Sequence, residues 1–335
     1  MRRSAVAVFL VSLTVPLRAG ADLDERGWRY LVDRLIADGV DGDTVLDAFQ
    51  DPRMPAFTGL DFSPDHGREP SKMYRHFLRS SDVTLARRCR QAHADAFENA
   101  SRSTDVPAGV LTAILFVETG CGRNTGSYMI LYRLARLAMA NEPGNLKRNL
   151  WRFSDSNGTI DADTEARLRA RARYLDDTFY PEVRATFTVA RQLGVSPLAI
   201  RGSPSGAFGY PQFLPTSYLR HGTDGDGDGE ISLYNTADAA ASAARYLAGY
   251  GWRPGLSRVE QRRVIWYYNH SDAYIDTVLA LAARIDGTAA GAPRLVTNHA
   301  KRTRGQRHKM AAARPKAGRR KATPARTKAQ TRVGG

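Results

Sequence analysis

Val106-Pro107-Ala108-Gly109-Val110-Leu111-Thr112-Ala113-Ile114-Leu115-Phe116-Val117-Glu118-Thr119-Gly120-Cys121-Gly122 is the stretch that decides how this chain folds. Its apolar residues recur three and four apart (Val110, Leu111, Ile114, Leu115, Val117), which predicts a helix. Asp105 is placed to cap its start, Pro107 suits its first turn, and Gly120 and Gly122 break it. Glu118 follows Leu111 by seven residues and Ile114 by four, so it falls on the same apolar stripe. A carboxyl group there points towards the core, where desolvation favours its protonated form, as a general acid requires. A glutamate hydrogen-bonded at a helix C-terminus fits the same pattern, and this segment alone leaves both readings open.

Outward from this helix the periodicity stays helical. Apolar residues three and four apart mark 27–48, 83–100, 163–193, 236–249 and 258–285, with Pro and Gly between them. No run alternates strictly enough to demand a sheet, and no repeat of 20–50 residues is present. An all-α or strongly α-dominated body is expected. The 335 residues are 42% hydrophobic and 25% charged, which excludes collagen-like, mucin-like and wholly disordered chains.

The net charge of +15 comes from 49 Lys and Arg against 34 Asp and Glu, and it sits at the ends. Residues 300–335 hold 13 Lys/Arg and no acid, and residues 1–21 hold Arg2, Arg3 and Arg18. The remainder is near neutral, which removes most support for a nucleic-acid-binding body. Residues 1–21 read as a secretory signal: a basic start, an apolar run from Ala5 to Leu17, and the small-residue site Ala19-Gly20-Ala21. The mature chain is then expected to begin near Asp22, exported to the periplasm. No Cys near the cleavage site offers a lipid anchor, and no other stretch is long and apolar enough to span a bilayer. The segment 290–335 is too polar to offset its ordering entropy and is expected to be disordered. Its charge suits anionic envelope polymers, or it is a solvated tail without a partner.

Cys89 and Cys121 are the two cysteines. In an oxidising compartment such a pair suggests one disulfide; two buried thiols are the alternative. Neither has a second Cys or a His at metal-ligand spacing. Ser203-Pro204-Ser205-Gly206-Ala207-Phe208-Gly209-Tyr210-Pro211-Gln212-Phe213-Leu214-Pro215 combines small residues, flat apolar faces and an amide, the parts of a glycan site or of a structural loop. Asp224-Gly225-Asp226-Gly227-Asp228-Gly229-Glu230-Ile231 matches the start of an EF-hand loop. Asp224, Asp226, Asp228, Glu230 and Asn235 are its candidate calcium ligands, with Asn235 where the bidentate Glu belongs and Asp238 as a possible substitute. Such an ion braces the loop and takes no part in chemistry. Trp266-Tyr267-Tyr268-Asn269-His270-Ser271 with Tyr274 joins aromatics to an amide, either as core or as the wall of a sugar groove.

Taken together, Val-Glu-Thr-x-x-Gly at Glu118, Gly-Ala-Phe-Gly-Tyr-Pro-Gln-Phe-Leu-Pro-Thr-Ser at 206–217 and Tyr-Asn-His-Ser at 268–271 resemble the lytic murein transglycosylase B family, glycoside hydrolase family 103. The calcium-type loop sits where that family carries one. The resemblance covers roughly residues 25–285. It implies a lysozyme-like helical core (about 100–140 and 195–286) with a further packed helical domain (about 22–99 and 141–194) and little β structure. It also implies cleavage of the MurNAc–GlcNAc β-1,4 bond of peptidoglycan without added water, giving a 1,6-anhydroMurNAc end and needing no cofactor. Glu118 then maps onto the acid/base, and Ser203, Gln212, Phe213, Tyr246, Tyr268, Asn269 and Tyr274 onto the glycan groove.

Two departures stand out. Only residues 253–268 separate Trp252 from Asn269, too few for the small β domain some members carry there. Cys121 stands where better-known relatives have Trp, so a bridge to Cys89 would replace that packing. The competing readings are a hydrolytic muramidase on the same fold, a wall-binding protein without turnover, and a polyanion binder driven by the basic tail.

Overall fold

The computed structural model describes residues 22–65 and 71–287. The expected signal at 1–21 and the basic tail at 290–335 lie outside the described residues. Trp28 opens the packed body, fully buried, with its ring against Phe49, Phe57 and Tyr132 and its indole N–H on the Pro55 carbonyl. Two short helices follow, α1 (Arg29–Ala37) and α2 (Gly42–Gln50). The run expected at 27–48 divides here because Gly39 takes a left-handed φ of 82° and Asp41 caps the second helix through the Thr44 N–H. The run at 83–100 likewise becomes α3 (Ser80–Ala92) and α4 (Ala94–Thr104), parted at His93.

α5 (Ala108–Thr119) is the helix read from the opening segment. Asp105 does not cap it: that residue closes α4 in the left-handed region at φ 60°, and Pro107 occupies the N-cap position of α5 with no side-chain cap. Nor does α5 carry a one-sided stripe. It is buried on every face, enclosed by α3 and α4 and by two later helices.

The chain next forms β1 (Tyr128–Met129), α6 (Ile130–Ala138), α7 (Pro143–Arg152) and α8 (Ala162–Gln192). α6 and α7 are absent from the sequence reading. Glu142 starts α7 by accepting the Gly144 and Asn145 N–H groups, with Pro143 in the first turn. α8 runs 31 residues, begun by the Asp161 cap and carrying Pro181 inside. Its buried face packs against α6 and α7, and Arg34 of α1 bonds Asp176 of α8 at 2.7 Å.

β2 (Arg201–Gly202) then pairs antiparallel with β1, Tyr128 opposite Gly202, the one small sheet among the described residues. The last helices are α9 (Pro215–His221), α10 (Thr236–Gly249), α11 (Arg258–Tyr268) and α12 (Asp272–Ile285). The run at 258–285 divides at 269–271, where Ser271 caps α12. α10 and α12 complete the enclosure of α5. Residues 253–268 form a short loop and α11. The architecture is mainly helical with little β, the class expected, and no helix among the described residues is long and apolar enough to cross a membrane.

Candidate active site

Eleven residues of α5 are buried; Glu118 alone is partly open. In a helix enclosed on every face, that marks the place where the carboxyl group reaches the edge of the core. Its position follows from the turn behind it. Gly120, Cys121 and Gly122 have consecutive left-handed φ values of 61°, 59° and 83°, and the Cys121 N–H reaches back to the Leu115 carbonyl at 2.9 Å, a Schellman-type end. Cys121 is disulfide-bonded to Cys89 near the end of α3. The Thr119 hydroxyl donates to the Tyr210 carbonyl at 3.0 Å and accepts the Gly122 N–H at 2.9 Å, fastening the turn to the 203–213 loop. Gly122 has no room for a side chain: a Cβ there would stand 2.2 Å from the Tyr210 ring.

Glu118 Oε1 accepts the Tyr274 hydroxyl at 2.8 Å. Tyr274 is 1% exposed, and burial followed by the Glu118 charge pushes its phenol well above the usual tyrosine range. Tyr268 is raised for the same two reasons in the same order. Both phenols therefore stay protonated, and Tyr274 acts as a fixed donor. The Tyr268 ring lies nearly parallel to that of Tyr274, with centroids 6.4 Å apart, and its hydroxyl donates to the Pro211 carbonyl at 2.6 Å. Tyr246 stands edge-on to Tyr268 at 5.0 Å and donates to the Tyr267 carbonyl, while Phe213 packs against both rings, with centroids 5.5 and 6.0 Å away.

The structure thus gathers Glu118, Phe213, Tyr246, Tyr268 and Tyr274, but not as one groove wall. Phe213, Tyr246 and Tyr274 are buried, so their rings support the site from beneath instead of offering faces to a sugar. Tyr268, Asn269, Gln212 and Ser203 are half-buried. Gln212 takes a left-handed φ of 52° and turns its amide NH₂ onto the Gly209 and Thr125 carbonyls, so it ties the loop to the segment after the catalytic turn. The Ser203 hydroxyl accepts the Ala207 N–H inside its own turn. Tyr74 and Thr119 were given no site role by the sequence. Tyr74 packs edge-on against Tyr274 with centroids 5.8 Å apart. Thr119 stands inside the quoted Val-Glu-Thr, where adjacency to Glu118 was the available signal.

A positioning role for Tyr274 has a measurable consequence. Removing a donor from a carboxylate makes it hold its proton more tightly. Tyr274→Phe is expected to lower kcat by about tenfold, the size of one hydrogen bond to a charged group, and to move the alkaline limb of the pH–rate profile upward. A slower enzyme with an unshifted profile would reduce Tyr274 to packing.

The acidic loop differs from its expected ligand set. Oxygens of Asp224, Asp226 and Asp238 lie within 4.8 Å of one another, and Asp238 is buried. Asp228 and Glu230 are exposed outside this group, and Asn235 is spent as the cap of α10, accepting the Asp238 N–H at 2.8 Å. Asp238 reaches back from the first turn of α10 to accept the Gly225 and Ser232 N–H groups. Three carboxylates converging on one point are a hard-oxygen donor set that suits calcium. The neighbouring Asp228 side chain stays at the surface, so the fit is to Asp224, Asp226 and Asp238.

Comparison with known proteins adds to this geometry. The family model described as "Transglycosylase SLT domain" matches residues 24–262. The membrane-bound lytic murein transglycosylase B of Escherichia coli K12 is 32% identical over 163 residues, which is 49% of this chain and 37% of that protein. The chain thus spans well under half the length of that relative. Among solved structures, SltB3 of Pseudomonas aeruginosa in complex with NAG-anhNAM-pentapeptide superposes with a TM-score of 0.56 at 18% identity, covering 80% of each chain. The Escherichia coli lytic transglycosylase Slt35 in complex with calcium gives 0.55 at 21% identity, covering 77% of this chain and 91% of that one. At these identities the likeness is one of fold.

Proposed function

The chain belongs to the transglycosylase SLT domain family, and from that premise we propose that it cleaves the MurNAc–GlcNAc β-1,4 bond of peptidoglycan without water, leaving a 1,6-anhydroMurNAc end. The observation that carries this reading is Glu118, a single partly open carboxyl group at the end of a buried helix, held by the Tyr274 hydroxyl.

Ordinary glycosidases divide acid and base work between two carboxyl groups. Here Glu118 starts protonated and gives its proton to the glycosidic oxygen as the bond to the anomeric carbon breaks. The substrate's own N-acetyl carbonyl supports the electron-poor carbon. Glu118, now ionised and accepting from Tyr274, removes the proton of the C6 hydroxyl, whose oxygen closes on the anomeric carbon. The proton balance returns Glu118 to its starting state, and no cofactor enters. Tyr268, Asn269, Gln212 and Ser203 are half-buried and are the groups we assign to glycan contact; Phe213, Tyr246 and Tyr274 hold them and Glu118 in place.

The test is the mass of the products. Digestion of purified peptidoglycan is expected to release muropeptides one water lighter than hydrolysis gives. Hydrated reducing ends would make the protein a muramidase, and no product from folded protein would leave a wall-binding role.

Calcium, present in the Escherichia coli Slt35 complex, is assigned here to Asp224, Asp226 and Asp238. It would neutralise three converging carboxylates and fix the loop between α9 and α10. Calcium at about a hundred times its Kd is expected to add about 2.7 kcal/mol, a rise in unfolding midpoint of roughly 5–10 °C. Chelation should reverse the rise and Asp226→Asn should abolish it; an unchanged midpoint in saturating calcium would remove the assignment. Export to the periplasm is supported by the pattern of residues 1–21 and by a Cys89–Cys121 disulfide, which persists in oxidising compartments. The 13 basic residues of 300–335 suit contact with anionic envelope polymers.

A further inference from the structure

Three guanidinium groups meet the segment 58–62 on the side of α6 and α7. Arg136 of α6 and Arg148 and Arg152 of α7 line a pocket of about 530 Å³ together with Asp61 and Trp151, room enough for a monosaccharide. The wall is built, not loose. The Leu60 N–H donates to the Asn145 side chain at 2.8 Å and the Phe62 N–H to that of Asn149 at 3.1 Å. The Asn149 amide returns a bond to the Leu60 carbonyl at 2.8 Å, and both asparagines are buried. Gly59 takes a φ of 103°, and a Cβ there would stand 1.8 Å from Nη1 of Arg148. That guanidinium therefore lies directly on the glycine backbone, in space that any side chain would fill.

The charges in this pocket do not cancel. Asp61 is the one acid among the lining residues, 3.1 Å from Arg148 and 3.5 Å from Arg152. Arg136 has no carboxylate partner among the described residues; it donates to the Gly59 carbonyl at 3.1 Å and lies over the Tyr132 ring. Three guanidinium charges against one carboxylate leave two positive charges unmatched. A guanidinium carries five N–H donors, and Arg136 and Arg152 spend only part of theirs on the protein. Beside them Trp151 is 74% exposed, the highest value among the large apolar side chains described.

We propose that this pocket binds a phosphorylated sugar, with its phosphomonoester on Arg136, Arg148 and Arg152 and its ring on Trp151. Planar N–H forks suit phosphate oxygens. A phosphomonoester carries about −1.5 to −2 at pH 7, the charge that balances the pocket, whereas a carboxylate or a phosphodiester brings only one negative charge. The C–H face of a pyranose ring is flat and apolar, which suits an indole with one face open. None of these residues belongs to the group around Glu118, so the proposal stands whether or not the chain is a transglycosylase.

The test is a titration of the full chain at fixed ionic strength, followed by NMR at the backbone N–H groups of 59–62 and 148–152. Glucose 6-phosphate is expected to shift these signals to saturation, inorganic phosphate to shift them more weakly, and glucose to leave them in place. Arg152→Gln should weaken glucose 6-phosphate about tenfold, the loss of one charge-assisted hydrogen bond. Trp151→Ala should remove the margin of glucose 6-phosphate over inorganic phosphate. Both side chains are exposed, so the fold is expected to survive either change, and a thermal melt checks that it does. No shifts at millimolar glucose 6-phosphate, or shifts confined to the basic segment 300–335, would overturn the proposal. Equal affinity for inorganic phosphate and glucose 6-phosphate in the unaltered protein would remove the sugar from it. Equal affinity for the methyl phosphodiester of the same sugar would remove the monoester. An Arg152→Gln protein that binds as tightly as the unaltered one would mean that these arginines only hold the segment 58–62.

Discussion

Glu118→Gln is expected to fold normally and to release anhydro-muropeptides about 10⁴-fold more slowly or not at all. General acid or base catalysis by one side chain contributes about 10²- to 10⁴-fold, and here the same carboxyl group serves both halves of the reaction. The steps run in series, so loss of either stalls the whole, and the upper end of that range applies. Structure gives little reason for collateral damage. Gln keeps the length and planarity of Glu, and its amide oxygen can accept the Tyr274 hydroxyl that Glu118 Oε1 accepts now at 2.8 Å. Glu118 is also partly open, so the new amide NH₂ has access to water. The unfolding midpoint should shift by no more than a surface substitution produces, within about 0.5 kcal/mol. Mass spectrometry of digested peptidoglycan, beside a thermal melt, separates the outcomes. A folded Glu118→Gln protein that still made anhydro ends would move the acid/base to another residue and with it the mechanism argued above.

How far the sequence alone led can be judged residue by residue. Glu118, the helix carrying it and the turn after it were legible because helix period and paired glycines are local signals. The reason for Glu118's position was less so. The apolar stripe pointed it to the core, whereas α5 is buried all round and Glu118 is the residue that is partly open; burial by surrounding helices is a tertiary fact. The aromatics were ambiguous for a related reason. Tyr246, Tyr268 and Tyr274 at helical spacing fit a core or a groove equally, and only packing separates the half-buried Tyr268 from the buried Tyr274. The breaks at His93 and at 269–271 carry no Gly or Pro, so periodicity ran across them. The acidic loop was recognised, with Asn235 counted at its twelfth position and Asp238 named as the substitute. A helix starts there, its N–H groups claim the Asn235 side chain, and the acid that turns back to the loop is Asp238, three residues later.

Replacing both Cys89 and Cys121 with Ser is expected to cost about 3–4 kcal/mol, the loop-closure entropy of a bridge spanning some thirty residues. For a body of this size that lowers the unfolding midpoint by roughly 10 °C, and a reductant should do the same to the unaltered protein. The bridge does more than restrict the unfolded chain, because of where it ends. Cys121 is the non-glycine member of a turn in which three successive residues are left-handed, a conformation that costs an L-residue about 1–2 kcal/mol. The bond to α3 opposes relaxation of that residue towards an ordinary φ, and Glu118 lies three positions back on the same backbone. Cys121 also precedes Gly122, whose α-carbon lies against the Tyr210 ring, so movement of the turn would carry the 203–213 loop with it. A second effect follows: at temperatures well below the lowered midpoint, the double variant should show reduced kcat with KM little changed, as expected when an acid/base is displaced and the glycan contacts remain. Full kcat at low temperature together with the lowered midpoint would confine the bridge to stability. An unchanged midpoint would mean that the helices around α5 hold the turn without it.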